Sequence, residues 1–298
     1  MMYNHSNDDY GGGAMRVVVI GGATVDIYAK SKAKINHGDS NPAVVRMAAG
    51  GVGRNIAEHL ARLGAETRLI TAIGGDDLGR YLLENCQALG IGTEGWTVRA
   101  EMGTGVYSAA IGHNGELYVA FCTADAVESI TAADLAPHKR AIQEAHLLVV
   151  DANLTQEALR AALALRRGKP VLADAVSVAK APRLAPLLSE IDILKLNRME
   201  AACLTGRDTD TENGPAQACG DLLAQGAGRV FITLGVEGVC AADQNGIHTV
   251  PALPVAVQNV TGAGDAFSAG VAFAFREPLK AQAQFGAEMA ARHLRRKL

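Results

Sequence analysis

Short apolar runs recur along this chain, each followed by a stretch with helical spacing, and that alternation leaves few folds open. The runs fall at 17–20, 67–73, 147–150, 171–173, 193–196 and 230–233. Such strands have no polar alternate face, so both sides must be covered, and the amphipathic segments between them supply the cover. Helices are predicted at 55–63, 78–89, 155–166, 198–204 and 216–225, where apolar residues return every three or four positions. The pattern predicts an α/β fold with a mainly parallel central sheet flanked by helices. Two stretches, 28–46 and 106–121, instead alternate apolar and polar residues, and His113-Asn114-Gly115 is a hairpin signal. They are expected to form a small β-sheet set apart from the main one.

Chemistry enters at Thr261-Gly262-Ala263-Gly264-Asp265, which follows a Val- and Pro-rich segment read as extended over 247–260 and precedes a helix-forming run at 266–275. Gly262 to Gly264 are placed in the turn between them. Small residues at a helix N-terminus leave backbone N–H groups free to bind an anion, helped by the helix dipole. Asp265 would repel that anion unless it takes a proton from a hydroxyl attacking a phosphate there. The plainer account is a helix cap beside a tight turn, and this motif alone leaves both open. A second cluster, Gly50-Gly51-Val52-Gly53-Arg54-Asn55, opens the helix carrying Ile56, Leu60 and Leu63. Its glycines permit close backbone approach, and Asn55 offers a donor and an acceptor to hydroxyls. No P-loop, dinucleotide fingerprint, H-E-x-x-H or G-x-S-x-G motif competes with this pair. His59 and His146 are expected to pack or face solvent.

Taken in order, Gly50-Gly51-x-Gly53-x-Asn55, Gly74-Gly75-Asp76-Asp77-Leu78-Gly79, Asn197-Arg198-Met199-Glu200, Thr233-Leu234-Gly235-Val236-Glu237-Gly238 and Thr261-Gly262-Ala263-Gly264-Asp265 resemble the PfkB (ribokinase-like) carbohydrate and nucleoside kinases. The resemblance runs from Met15 onward. It implies a ribokinase-like fold with a small β-sheet lid, its strands from about 28–46 and 104–122. It also implies a kinase that uses ATP and Mg2+. By resemblance, Asp265 is the general base, while Gly262, Ala263 and Gly264 form the nest for the transferred phosphoryl group. Asn197 and Glu200 position magnesium largely through water, and Asn197, Thr233, Gly235 and Gly238 lie under ATP. Asp26, Gly51 and Asn55 hold the hydroxyls of the acceptor. Asp151 and Asn153, at the end of the strand 147–150, stand where α/β sheets place ligand contacts, although such residues also cap turns.

Within the family, Asp39-Ser40-Asn41-Pro42, taken as part of the first lid strand, the unbroken Gly50–Ala57 segment, Asp174-Ala175-Val176-Ser177 with Lys180, and Asn259-Val260-Thr261 are most similar to the pseudouridine-kinase branch. The implied acceptor is the 5′-hydroxyl of pseudouridine, with Ser40, Asn41 and Thr104 as candidate readers of the base. A kinase for another nucleoside or free sugar, and a silent sugar-binding regulator on the same scaffold, are the alternatives. Thr24 stands where the family often has Asn, and Asn259 where many members have Asp, which leaves the monovalent cation requirement open.

Composition agrees. The 298-residue chain carries a net charge of −3, which gives no electrostatic case for nucleic acid or an anionic membrane, and it has no apolar run long enough for a membrane span. Arg292, Arg295, Arg296 and Lys297 are expected to be a solvated helix end. Five scattered cysteines without a C-x-x-C pair suggest reduced thiols and a cytoplasmic protein. Residues 1–14, polar and Gly-rich, are expected to be a disordered extension before a kinase domain spanning 15–298. A homodimer formed through the lid is the oligomer considered.

Overall fold

The structure, a computed structural model, describes residues 13–256 and 261–295; residues 1–12 of the expected extension, Asn259, Arg296 and Lys297 lie outside it. β1 (Arg16–Ile20) is an interior strand of the main sheet, third from one edge, its last four residues buried. The chain leaves it at Gly21 into β2 (Thr24–Ser31) and β3 (Ala43–Gly50) and returns as α1 (Val52–Arg62). β4 (Glu66–Gly74), α2 (Asp77–Ala88) and β5 (Gly92–Arg99) build one wing, followed by the hairpin of β6 (Val106–Ile111) and β7 (Leu117–Cys122). Short helices α3 (Asp125–Glu128), α4 (Ala132–Leu135) and α5 (Lys139–Glu144) lead to β8 (Leu147–Asp151), α6 (Gln156–Leu165), β9 (Val171–Asp174) and β10 (Ile193–Asn197). Then come α7 (Arg198–Thr205), α8 (Gly214–Ala224), β11 (Arg229–Thr233), β12 (Val239–Asp243), β13 (Gly246–Val250), α9 (Ala263–Phe273) and α10 (Leu279–Leu294).

The main sheet has nine strands in the order β13-β12-β11-β10-β9-β8-β1-β4-β5, and a second sheet of four has the order β3-β2-β6-β7. From β11 to β5 every pairing is parallel, as double-sided burial requires. Val17 and Val19 belong to the core on the face covered by α1 and α9, with Ile56, Leu60 and Val271, whereas Val18 and Ile20 belong to the core on the opposite face, with Leu159 of α6 and Leu222 of α8. Each such Leu or Ile contributes roughly 1.5–3 kcal/mol by leaving water. α9 lies against α10 where both are thinnest: a Cβ on Gly270 would meet the Cα of Gly286 at 2.8 Å.

Four details differ from the sequence reading. β12 pairs antiparallel with β11 and with β13 at one edge, so the sheet is mixed there, and β5 and β12 had no expected strand. Of the segment 247–260, only the part within Gly246–Val250 is strand among the described residues. Asp39-Ser40-Asn41-Pro42 lies in the loop between β2 and β3, not on a strand. The reason is local: Asp39 Oδ1 accepts from the Ser40 N–H, and Asn41 Oδ1 from the Asn36 N–H, contacts that compete with a ladder. Finally, α9 begins at Ala263, so only Gly262 belongs to the turn while Ala263 and Gly264 open the helix. Among the described residues no helix is long and apolar enough to cross a membrane.

Candidate active site

The first turn of α9 organises the site. Gly262 caps it in the left-handed conformation (φ 85°), which a residue with a side chain adopts only under strain. The N–H groups of a first turn have no carbonyl four residues back and point outward along the axis. His293 on α10 steadies this turn from outside, its Nε2 2.7 Å from the Thr261 carbonyl oxygen. Asp265 sits in the same turn, half-buried, and accepts a hydrogen bond of 2.8 Å from Nδ2 of Asn55. The two glycine clusters therefore meet in space.

α1 reaches this position because its start has almost no side chains. A Cβ on Gly53 would stand 2.9 Å from the Cα of Gly21, and one on Gly51 (φ 93°) 2.6 Å from the Gly22 carbonyl oxygen. The close-packing account of these glycines thus holds together with the functional one. Gly50 is bare for a third reason: a Cβ there would lie 2.3 Å from the carboxylate of Asp26.

Beneath Asp265, the ends of three parallel strands bring charges into the protein interior. Asp151 ends β8 and accepts from the N–H groups of Gly22 and Asn153, both at 2.9 Å. Asp174 ends β9; its Oδ2 takes Ser268 Oγ at 2.7 Å and lies 3.2 Å from Lys195 Nζ of β10. Burial foremost, then the charges of Asp174 and Asp151, push the Asp265 carboxyl up to about 7, with Asn55 and Lys195 opposing. Burial likewise raises Asp151 to about 6. For Lys195 burial favours the neutral amine, but Asp174, Glu200 and Asp265 outweigh it and shift its pKa upward. Nζ lies 3.1 Å from where a Cβ on Gly264 would be, so a permanent cation sits directly under the helix start.

On one side of α9 opens a cavity of about 580 Å³ lined by Thr233, Gly235, Gly238, Ala263 and Gly264, with Val236, Leu253, Pro254, Ala287, Ala290 and Leu294 completing a largely apolar wall. Gly235 and Gly238 both have positive φ (63° and 103°), and the short turn they make keeps side chains out of the cavity mouth. Thr233, Gly235 and Gly238, expected under ATP, thus line one cavity with Ala263 and Gly264, while Asn197 and Gly262 are not part of its lining. At the neighbouring strand end, Asn197 and Glu200 form a reciprocal cap on α7: Glu200 N–H donates to Asn197 Oδ1 at 2.9 Å, and Asn197 N–H and Nδ2 donate to the Glu200 carboxylate, each at 2.7 Å. Glu200 is buried, which raises its pKa against the pull of Lys195. Each of its oxygens has a lone pair beyond the one used in the cap, so the set suits a magnesium ion held through water. Among the described residues no group of three or more His, Cys, Asp or Glu side chains is disposed to chelate a metal directly.

The first of the residues expected to hold the acceptor lies on β2. Asp26 accepts from Thr24 Oγ1 at 3.2 Å and from the Tyr28 hydroxyl at 3.0 Å, and burial raises its pKa. Tyr28 also bonds the Thr261 side chain, linking the small sheet to the nest. Asn153 follows β8, its Oδ1 2.6 Å from Lys180 Nζ. Three expected base contacts are differently disposed. Thr104 is buried, its hydroxyl between Asp76 Oδ1 (2.5 Å) and the Gly74 N–H (3.0 Å). Asn41 Nδ2 bonds the carbonyls of Asn36 and Asp39. Ser40 lies exposed in the same loop. Sequence reading passed over Lys195, Tyr28 and His293. Only Lys195 left a signal, a lone charge inside an apolar strand buried on both faces.

The profile of the pfkB family carbohydrate kinases matches residues 14–297. The chain belongs to that family. It is 35% identical over 257 residues to the pseudouridine kinase of Escherichia coli (strain K12), covering 86% of this chain and 82% of that one. A ribokinase of Staphylococcus aureus (strain COL) is 29% identical, over 85% of this chain and 83% of its own. Among solved structures, a carbohydrate kinase from Agrobacterium tumefaciens superimposes with a TM-score of 0.79 at 32% identity, covering 93% of this chain and 90% of its own. Membership makes the protein a phosphotransferase of the ribokinase-like fold acting on a small sugar or nucleoside.

The electrostatics of the strand ends can be checked directly. The Asp265 carboxyl is expected to titrate with a midpoint of about 7. Replacing Asp174 by Asn removes a negative neighbour and should move that midpoint down. Carboxyl carbon shifts assigned by difference against Asp265→Asn measure both; a midpoint that stays put in Asp174→Asn contradicts the coupling.

Proposed function

We propose that the protein transfers the γ-phosphoryl group of ATP to the 5′-hydroxyl of pseudouridine, with Asp265 as the general base. The observation that carries the kinase chemistry is the carboxylate of Asp265 in the first turn of α9, bonded to Asn55 and adjoining Ala263 and Gly264 in the wall of the cavity of about 580 Å³. The acceptor oxygen attacks the γ-phosphorus, its proton passes to Asp265, and the bond to the β-phosphate oxygen breaks to release ADP. Gly262, Ala263 and Gly264 offer N–H groups to the charge that builds on the transferred group. Lys195 offsets the negative charge of Asp174 beneath that turn. Bound magnesium would neutralise phosphate charge, and Glu200 and Asn197 would hold its water shell. Asn259, the residue that leaves a monovalent cation requirement open, is outside the described residues.

Pseudouridine as acceptor is supported by the 35% identical relative and by the Asp26 carboxylate, which lies against Gly50 just before the helix that carries Asn55, groups suited to ribose hydroxyls. Because Thr104 and Asn41 already bond within the fold, base recognition is assigned to Ser40 and to Tyr28 and Tyr107, whose rings are 6.1 Å apart and register on the same face as Asp26. The opposite face of the small sheet exposes Val45, Met47, Val119 and Phe121. A second copy of the chain is the proposed cover for it.

Asp265→Asn should keep nucleotide binding and lose turnover by at least ~10²-fold, the scale of a lost general base. In the parent, turnover should rise with pH through about 7, because only the deprotonated carboxyl accepts the proton. Glu200→Gln, which can retain the cap, should raise the magnesium concentration for half-maximal rate more than KM for the acceptor; an unmoved magnesium titration would leave Glu200 a cap alone. Side-by-side kcat/KM for pseudouridine, uridine, adenosine, ribose and fructose tests the acceptor. A site reading the extra ring N–H of pseudouridine can reject uridine by up to ~10⁴, and equal rates with uridine or ribose would reduce the proposal to a general sugar kinase. Light scattering should give a dimer that Phe121→Lys converts to monomer; a monomeric parent removes the proposed interface.

A further inference from the structure

The orientation of one carboxamide decides what Asp265 can do. Asn55 sits between two partners: Nδ2 is 2.8 Å from Asp265 Oδ2, and Oδ1 is 2.9 Å from Nη1 of Arg54. An amide can turn end for end, and turned it would present its oxygen to Asp265. In that orientation the carboxyl could bond Asn55 only by holding a proton, and a base that holds its proton is inactive. A guanidinium, however, has five N–H donors and no acceptor, so it tolerates only the oxygen of Asn55.

We propose that Arg54 is a positioning residue that locks the Asn55 amide with its N–H toward Asp265, keeping that carboxylate ready to accept a proton. The proposal rests on the reading of Asp265 as the general base. Arg54 is itself well held. It is 4% exposed, its Nη2 donates to Asn85 Oδ1 at 2.6 Å, and its Nη1 reaches the Ala49 carbonyl at 3.3 Å and Glu58 at 2.5 Å. Asn85 on α2, Glu58 on α1 and the end of β3 thus fix the fork from three directions. A flipped Asn55 would set its NH2 against this donor-only group, so that the buried Arg54 fork and the half-buried Asn55 amide face each other without an acceptor, an arrangement that costs a hydrogen bond.

The lock matters because the surroundings of Asp265 otherwise favour its protonated form. Burial, Asp174 at the end of β9 and Asp151 at the end of β8 push its pKa upward, and only Asn55 from α1 and Lys195 from β10 act against them. Without the fixed N–H, one of the two stabilisers of the charged form is lost, and the acid limb of the rate profile must move to higher pH.

Arg54→Gln provides the test, since glutamine offers both a donor and an acceptor and cannot enforce one orientation. The acid limb of kcat, and the Asp265 carboxyl midpoint followed without turnover, should both rise by roughly one pH unit. That lowers kcat severalfold at neutral pH and restores much of it in alkali. Arg54→Lys, donor-only like the parent, should bring the profile back toward the original. In Asn55→Ala the same Arg54→Gln change should add no further shift, because its route is gone. If Arg54→Gln does not fold, Asn85→Ala, which frees the far end of the fork, should give a smaller upward shift. An unmoved acid limb in the folded variant, failure of Lys to restore it, or a full additive shift without Asn55 overturns the proposal. Near-normal turnover in Asp265→Asn would instead remove the base reading itself, whereas an inactive Asp265→Asn with an unmoved Arg54→Gln profile removes the lock alone.

Discussion

One hydrogen bond, from Asn55 on α1 to Asp265 on α9, joins the halves of this molecule at the place where its buried charge is concentrated. Asp151, Asp174, Glu200 and Asp265 gather near a single Lys195 at adjoining strand and helix ends. A buried ionised carboxylate is costly unless it is paired and hydrogen-bonded. Each acid here has its own compensation: backbone N–H groups for Asp151, Ser268 and Lys195 for Asp174, the α7 cap for Glu200. Asp174 and Asp265 both rely on side chains from distant parts of the chain, and for Asp265 that partner is Asn55 on α1. Correct packing of α1 against α9 is therefore the same event as completion of the site.

That packing explains why the sequence is so rich in glycine around residues 21–53. The crossings from the main sheet to the small sheet run through Gly21 and Gly22, through Gly50 and Gly51, and through Gly103 and Gly105. At most of these positions the cause is proximity, not backbone freedom. A Cβ on Gly22 would overlap the Asn153 side chain at 2.6 Å, and one on Gly105 would meet the Thr123 carbonyl at 3.0 Å. Only Gly51 among them also requires positive φ. Three backbones crossing this closely fix Asp26 on β2 relative to Asn55 on α1, although one belongs to the small sheet and the other to a helix packed on the main sheet.

The parts of the fold set by local periodicity were legible in the chain. Strands buried on both faces, such as β1 and β8, read as unbroken apolar runs, and the helices between them as amphipathic stretches. β5 was not legible, because Gly92, Glu94 and Gly95 interrupt its pattern, and β12 hid because Val239-Cys240-Ala241-Ala242 is short and weakly β-branched. The residues brought together around Asp265 were legible as motifs, but their coupling was not. Nothing in the spacing of Thr104 says that Asp76 holds its hydroxyl, nor does Asn41 announce its bonds to Asn36. Those are tertiary or loop contacts, made after the chain has turned, and they leave both residues less able to meet a ligand than their position suggested.

Lys195 marks the limit of sequence reading in a different way. Between Leu194 and Leu196 it looks like an error in a core strand, and an unpaired ammonium there would lose its proton. Asp174, at 3.2 Å on the neighbouring strand, keeps it charged, and the parallel register that pairs Lys195 with Asp174 sets the two side by side. A one-residue slip would send the ammonium to the opposite face, among the apolar side chains that cover the sheet. The charge thus discriminates against wrong registers of β10 at the same time as it supplies a cation beneath the start of α9. A core position that would cost stability in isolation becomes, through its partner, a constraint on both topology and chemistry.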